Sequence, residues 1–184
     1  MNVLKKTFAA AAILASLVGC GPPKINPHVV AKATPDWSIT KPDDWEVLQP
    51  GENLSGLKDA KTELLMRSEV EPHVGLVVNT IKWASQDTKD FAGTMVTSAA
   101  QNKSFLLVSA APAKVAYKHT HIDASYMIFI VAVDEDSVYR VQQLSVLHPK
   151  VGHAHTVMCI VSADADLTLD EVACMQSIES FALN

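Results

Sequence analysis

The chain has 184 residues, 48% hydrophobic and 19% charged, with 15 basic against 20 acidic side chains and a net charge of −5. That length makes one domain with a real core. The acidic balance argues against nucleic acid as a partner and against electrostatic adhesion to anionic lipid.

The amino terminus carries the first signal. Lys5 and Lys6 open the chain, and an apolar run follows from Phe8 to Val18. The run is shorter than the roughly 20 residues a membrane-spanning helix needs, so it predicts a removable export signal over residues 1–19. It ends Leu17-Val18-Gly19-Cys20, which resembles the lipobox of bacterial lipoproteins. The resemblance implies cleavage between Gly19 and Cys20, with a lipid on the Cys20 sulfur and an acylated amino group. A thiolate is the side chain nucleophilic enough to accept the lipid at neutral pH. Several acyl chains on one residue supply the multiple anchors that stable membrane attachment requires. Gly21, where an Asp would resemble an inner-membrane retention signal, points to the periplasmic face of the outer membrane. Removing residues 1–19 leaves 165, and losing Lys5 and Lys6 takes the net charge from −5 to −7.

Residues 20–36 hold Pro22, Pro23, Pro27 and Pro35, and read as an extended tether between the lipid and a single domain over 37–184. Trp37–Thr40 reads as a short strand, ended by a Lys41–Asp44 turn, with Trp45–Val47 continuing the same edge. Pro50-Gly51 breaks the chain again. Thr62–Val70 and Val74–Trp83 are apolar and β-branched and predict an antiparallel pair. Asp87–Asn102 reads as a helix, with Phe91, Ala92, Met95, Val96 and Ala99 on the face turned to a sheet. Phe105–Ser109 and Lys114–Tyr117 read as two short strands around Pro112. Ile122–Val133 is apolar at alternate positions of both faces and should be covered on both sides. Asp134-Glu135-Asp136 is a solvated turn, lacking the spacing of a calcium loop. Ser137–Leu147 and His155–Ser162 complete a meander. The last helix starts at Thr168, where Thr168 and Glu171 match a capping box, and Cys174, Ile178 and Phe181 form its inner stripe.

Strands, a helix, more strands and a final helix imply an α+β fold, an antiparallel sheet with helices packed on it. Trp37-Ser38-Ile39-Thr40-Lys41-Pro42-Asp43-Asp44-Trp45, Tyr126, and the closing Ile178-Glu179-Ser180-Phe181 resemble the domain shared by DcrB-like lipoproteins, PsbP proteins of photosystem II and Mog1. The resemblance covers about 37–184 and implies an α/β/α sandwich in a binding or assembly protein that performs no catalysis.

The remaining cysteines are Cys159 and Cys174. An even pair in an oxidising compartment predicts a disulfide, the alternative being two buried thiols. His119, His121, His148, His153 and His155 fall within 37 residues. If Ile122–Val133 pairs with Ser137–Leu147, these histidines gather toward one end of the sheet. One reading is a polar rim, favoured because no acid or thiol obviously completes a coordination sphere; another is a Zn or Cu site; a third is a pH-sensing edge. Trp37, Trp45 and Trp83 read as core packing before binding anchors. There is no Gly-x-Ser-x-Gly, no phosphate-cradling loop and no His-Glu-x-x-His. A triad can also assemble from distant residues, but with the resemblance to binding proteins the expectation is no enzyme, and no cofactor beyond the lipid and the Zn or Cu alternative at the histidines. The expectation is a lipid-anchored envelope protein with a protein partner. A histidine-dependent metal-binding or sensing lipoprotein, and a phage- or plasmid-borne lipoprotein that modifies envelope receptors, are the alternatives.

Overall fold

The computed structural model describes residues 28–31, 36–49, 60–84, 87–133, 137–149, 152–163 and 168–184. The signal, Gly19, Cys20, the rest of the tether, Pro50-Gly51 and the Asp134–Asp136 turn lie outside the described residues.

The elements are β1 (His28–Ala31), β2 (Trp37–Lys41), β3 (Trp45–Leu48), β4 (Ala60–Ser68), β5 (Val74–Lys82), α1 (Thr88–Gln101), β6 (Phe105–Tyr117), β7 (Thr120–Ala132), β8 (Val138–Leu147), β9 (His153–Ser162), α2 (Leu169–Glu179) and β10 (Ala182–Leu183). Among the described residues the strands form one sheet in the order β1-β2-β10-β6-β7-β8-β9-β5-β4-β3. Every neighbouring pair is antiparallel except β10 and β6. α1 packs on one face and α2 on the other, so the expected α+β sandwich is the observed one. No helix among the described residues is long and apolar enough to cross a membrane.

Side chains alternate across a strand, so each central strand feeds two cores. The core on the α2 side holds Trp37, Trp45, Met66, Leu76, Val157, Cys159 and Phe181, with Cys174 and Ile178 of the helix itself. The core on the α1 side holds Val77, Met127, Phe129, Val141 and Met158, with Phe91, Met95 and Ala99 of the helix itself. β7 is apolar on both faces for this reason: Ala124 and Tyr126 join the first core, Met127 and Phe129 the second.

Four expectations need correction. Trp45–Val47 does not continue the edge begun at Trp37. β2 and β3 stand at opposite ends of the strand order although only Pro42–Asp44 separates them. Asp44 takes a left-handed φ of 57°, and its carbonyl accepts from Glu69 N at 2.9 Å. The sheet therefore curls until both ends reach the α2 core, where Trp37 and Trp45 are each buried.

The two strands expected around Pro112 are one, β6, 13 residues long. Proline is tolerated on an unpaired edge because no ladder donor is lost there. β10 occupies the outer edge of β6 only at Ala116 and Tyr117. A register shift between Leu107 and Ser109 exchanges the faces. Phe105 and Leu107 pack into the α1 core, whereas Ala113, Val115 and Tyr117 pack into the α2 core.

Within the segment expected as a tether, His28–Ala31 pairs with β2, so this part of 20–36 contributes an edge strand. The capping box at α2 is half formed. Thr168 Oγ1 accepts from Glu171 N at 3.1 Å, but the Glu171 carboxylate turns to the sheet. Arg140 Nη2 donates to its two oxygens at 2.9 and 2.8 Å, and Gln142 Nε2 donates at 3.4 Å.

Candidate functional site

A helix is about 10–12 Å across and neighbouring strands are about 4.8 Å apart, so one helix covers roughly two to three strands. α1 packs over β6, β7 and β8. The same face of β9, β5 and β4 is left beside it, and there the structure opens a cleft of about 780 Å³. Its floor is Leu65, Val77, Val141, Met158 and Ile160, and Met95, Ser98 and Ala99 of α1 form one wall. That volume and apolar lining are those of a ligand or side-chain cluster site. Methionines, unbranched and polarizable, let such a lining adapt to its occupant.

Polar groups stand at the rim. Arg67 lines the cleft and donates through Nε to Glu46 Oε1 at 3.0 Å. His73, Asn102 and Ser104 line it as well. Among the lining residues Gln143 is buried and donates to Ser145 Oγ at 2.8 Å. The cleft was not visible in the sequence, because its lining residues have the same alternation as core residues. The one available signal was arithmetic: two helices cannot cover both faces of so broad a sheet.

The five histidines divide. His148, His153 and His155 pack together, with ring centroids 5.8, 6.2 and 5.1 Å apart. Tyr117 meets His148 edge-on at 5.8 Å, and Thr80 Oγ1 lies 3.2 Å from His155 Nδ1. His153 Nε2 is 3.5 Å from Asp36 Oδ2, an ion pair when the ring is protonated. His148 and His155 are buried, so they are no solvated rim. His119 and His121 sit at the β6–β7 turn and are exposed. Among the described residues no group of three or more His, Cys, Asp or Glu side chains is arranged to hold a metal ion.

Cys159 of β9 and Cys174 of α2 are joined by a disulfide, with Cα atoms 5.9 Å apart, which ties the last helix to the middle of the sheet. Near α2, Tyr126 donates its hydroxyl hydrogen to Gln142 Oε1. Burial, with smaller contributions from the Glu179 and Glu171 charges, pushes the Tyr126 phenol up to about 12. Trp37 and Trp45 are core, and Trp83 meets Phe91 edge-on at 5.0 Å in the second core.

No family model matches the chain, and no curated protein matches it in sequence. Solved structures match its shape. Cyanobacterial PsbP (CyanoP) from Synechocystis sp. PCC 6803 has 12% identity and a TM-score of 0.50, over 91% of this chain and 99% of its own. The Ran-binding protein Mog1p of Saccharomyces cerevisiae has 7% identity and a TM-score of 0.52, over 86% of this chain and 96% of its own. LpqN of Mycobacterium tuberculosis, involved in cell envelope biogenesis, has 13% identity and a TM-score of 0.52, over 85% of this chain and 89% of its own. The chain spans 45% of the length of a Bacteroides thetaiotaomicron protein that it resembles with a TM-score of 0.48. At these identities the likeness defines the fold. The chain carries a PsbP/Mog1-like α+β domain, and that fold here presents an apolar cleft beside α1.

Proposed function

We propose that this protein is a lipid-anchored module of the cell envelope that performs no catalysis and holds a partner through the cleft beside α1. The observation that carries the proposal is the cleft of about 780 Å³, walled by Met95 and Ala99 and floored by Val77, Met158 and Ile160. An opening of this size with an apolar floor gains free energy by taking apolar surface out of water. Two further lines support it. Leu17-Val18-Gly19-Cys20 has the form of a lipobox, which supports a lipid anchor, and Gly21 in place of an Asp favours the periplasmic face of the outer membrane. Of proteins with the same fold, Mog1p is Ran-binding and LpqN is involved in envelope biogenesis. A tether on Cys20 would confine the domain near the bilayer and raise its effective concentration toward membrane partners.

The test is a photo-crosslinking residue at Ser98, on the cleft wall, with Glu179, exposed at the end of α2, as the control. The expected result in whole membranes is a discrete adduct from position 98 that position 179 does not form. Ile160→Lys, a charge on the floor, should abolish it. An adduct pattern identical at the two positions would refute the assignment of the cleft.

A further inference from the structure

We propose that the unpaired edge of β6 joins two copies of this chain, strand to antiparallel strand, about a twofold axis at Val108.

β7, β8, β9, β5 and β4 each have a partner on both sides, and the terminal strands β1 and β3 are four residues long. β6 differs. β7 takes one of its edges along the whole strand, while β10 takes the other only at Ala116 and Tyr117. Among the described residues, the outer edge from Phe105 to Val115 therefore has no strand beside it. A long open edge of backbone donors and acceptors is a template for another strand.

Charge selects the occupant. The segment 91–113 contains one charged residue, Lys103, in a chain that is 19% charged with a net −5. Interface centres are depleted of charge in the same way. α1 packs over β6, and its exposed Gly93, Thr94, Thr97 and Ala100 are likewise uncharged. Two copies of an acidic protein repel wherever their acidic surfaces meet. Here they can approach with no like charges opposed, and an isologous contact requires a patch that matches itself.

Local geometry places the axis. Leu106 and Val108 are 64% and 55% exposed, apolar surface that a strand laid along this edge would take out of water. Val108 has no partner in the β7 ladder, since Leu107 pairs with Phe129 and Ser109 with Ile128. An axis at Val108 sets it against its own copy and Leu106 against Ala110. Pro112, with no backbone N–H, stands just past the paired stretch and ends it.

The test uses the full chain. In detergent micelles the wild type should sediment with the protein mass of a dimer, and Val108→Lys, which opposes two like charges on the axis, should halve that mass. An unchanged circular dichroism spectrum below the unfolding transition would show that the exposed substitution leaves the fold intact. In membranes, Val108→Cys treated with an oxidant should form a covalent dimer that wild type and Lys61→Cys, exposed on β4, do not form. A monomeric wild type at micromolar concentration, no covalent dimer from Val108→Cys, or crosslinking of the Val108→Cys variant only to a different polypeptide would overturn the proposal. Loss of Ser98 adducts with the Val108 dimer intact would refute the cleft reading alone.

Discussion

Replacing Arg140 by alanine should strand a carboxylate inside the protein. Glu171 is 2% exposed, and its charge is met by Arg140 Nε at 3.2 Å and Nη2 at 2.9 and 2.8 Å, with Gln142 Nε2 at 3.4 Å. Removing one partner of a buried ion pair costs about 3–5 kcal/mol, because the other charge remains without water. Three features place this site at the lower end. The Arg140 side chain is 31% exposed, so water enters where it leaves. Gln142 still donates, and Glu171 lies in the first turn of α2, where the helix dipole favours an anion. The expected loss is about 3 kcal/mol, or about 6–12 °C in melting temperature for a domain of this size. Thermal unfolding followed by circular dichroism, with urea titration alongside, measures it. The double variant Arg140→Leu, Glu171→Leu removes both charges and should return to within about 1 kcal/mol of the parent, since an apolar pair of similar volume replaces a buried ion pair with little penalty. A single-variant shift below about 2 °C, the scale of a surface pair, would refute the reasoning.

Other outcomes are equally specific. Cys159→Ala with Cys174→Ala opens a bridge between residues 15 apart, and should cost about 3 kcal/mol in the chain-entropy model, read by the urea midpoint. Trp45→Ala empties a core position that is 2% exposed and should cost about 3–5 kcal/mol, whereas Val47→Ala, 53% exposed two residues on, should stay within about 0.5 kcal/mol. The Tyr126 phenol is raised from 10.0 to about 12, so the folded state keeps its proton where the unfolded state has lost it. Its contribution to stability is therefore complete below pH 10 and disappears as the pH rises to about 12. Ultraviolet titration should show a late phenol that Tyr126→Phe removes, and Tyr126→Phe should lose less stability over that interval than the parent. Mass spectrometry of the mature amino terminus should find an acylated Cys20; an unacylated mature terminus, or one that begins elsewhere, would refute the anchor.

Much of the architecture was legible residue by residue. The spacing of Phe91, Met95 and Ala99 marks α1, whose observed bounds lie within one residue of the predicted ones. Alternation across Ile122–Val133 announces a strand covered on both faces, and Thr168 caps the helix it was expected to cap. These features depend on interactions within a few residues, so local order suffices to predict them. Period and capping say which face a side chain takes and where an element starts; they do not say which element lies beside it.

Partner choice is where the tertiary structure decided. Nothing local in Pro42–Asp44 tells that β2 and β3 go to opposite ends of the sheet, and nothing near Pro112 tells that β6 runs through it. Glu171 satisfies a local capping rule on paper, yet Arg140 from β8, 31 positions away, takes its carboxylate because a buried charge is stabilised more by a cation than by a backbone amide. Five histidines close in sequence become three packed rings and two exposed ones, since the β6–β7 turn projects His119 and His121 outward while β9 buries His155. The cleft and the open edge of β6 belong to no single segment. Each exists because α1 is narrower than the sheet, or because β10 is shorter than β6, and such relations appear only when distant parts of the chain stand side by side.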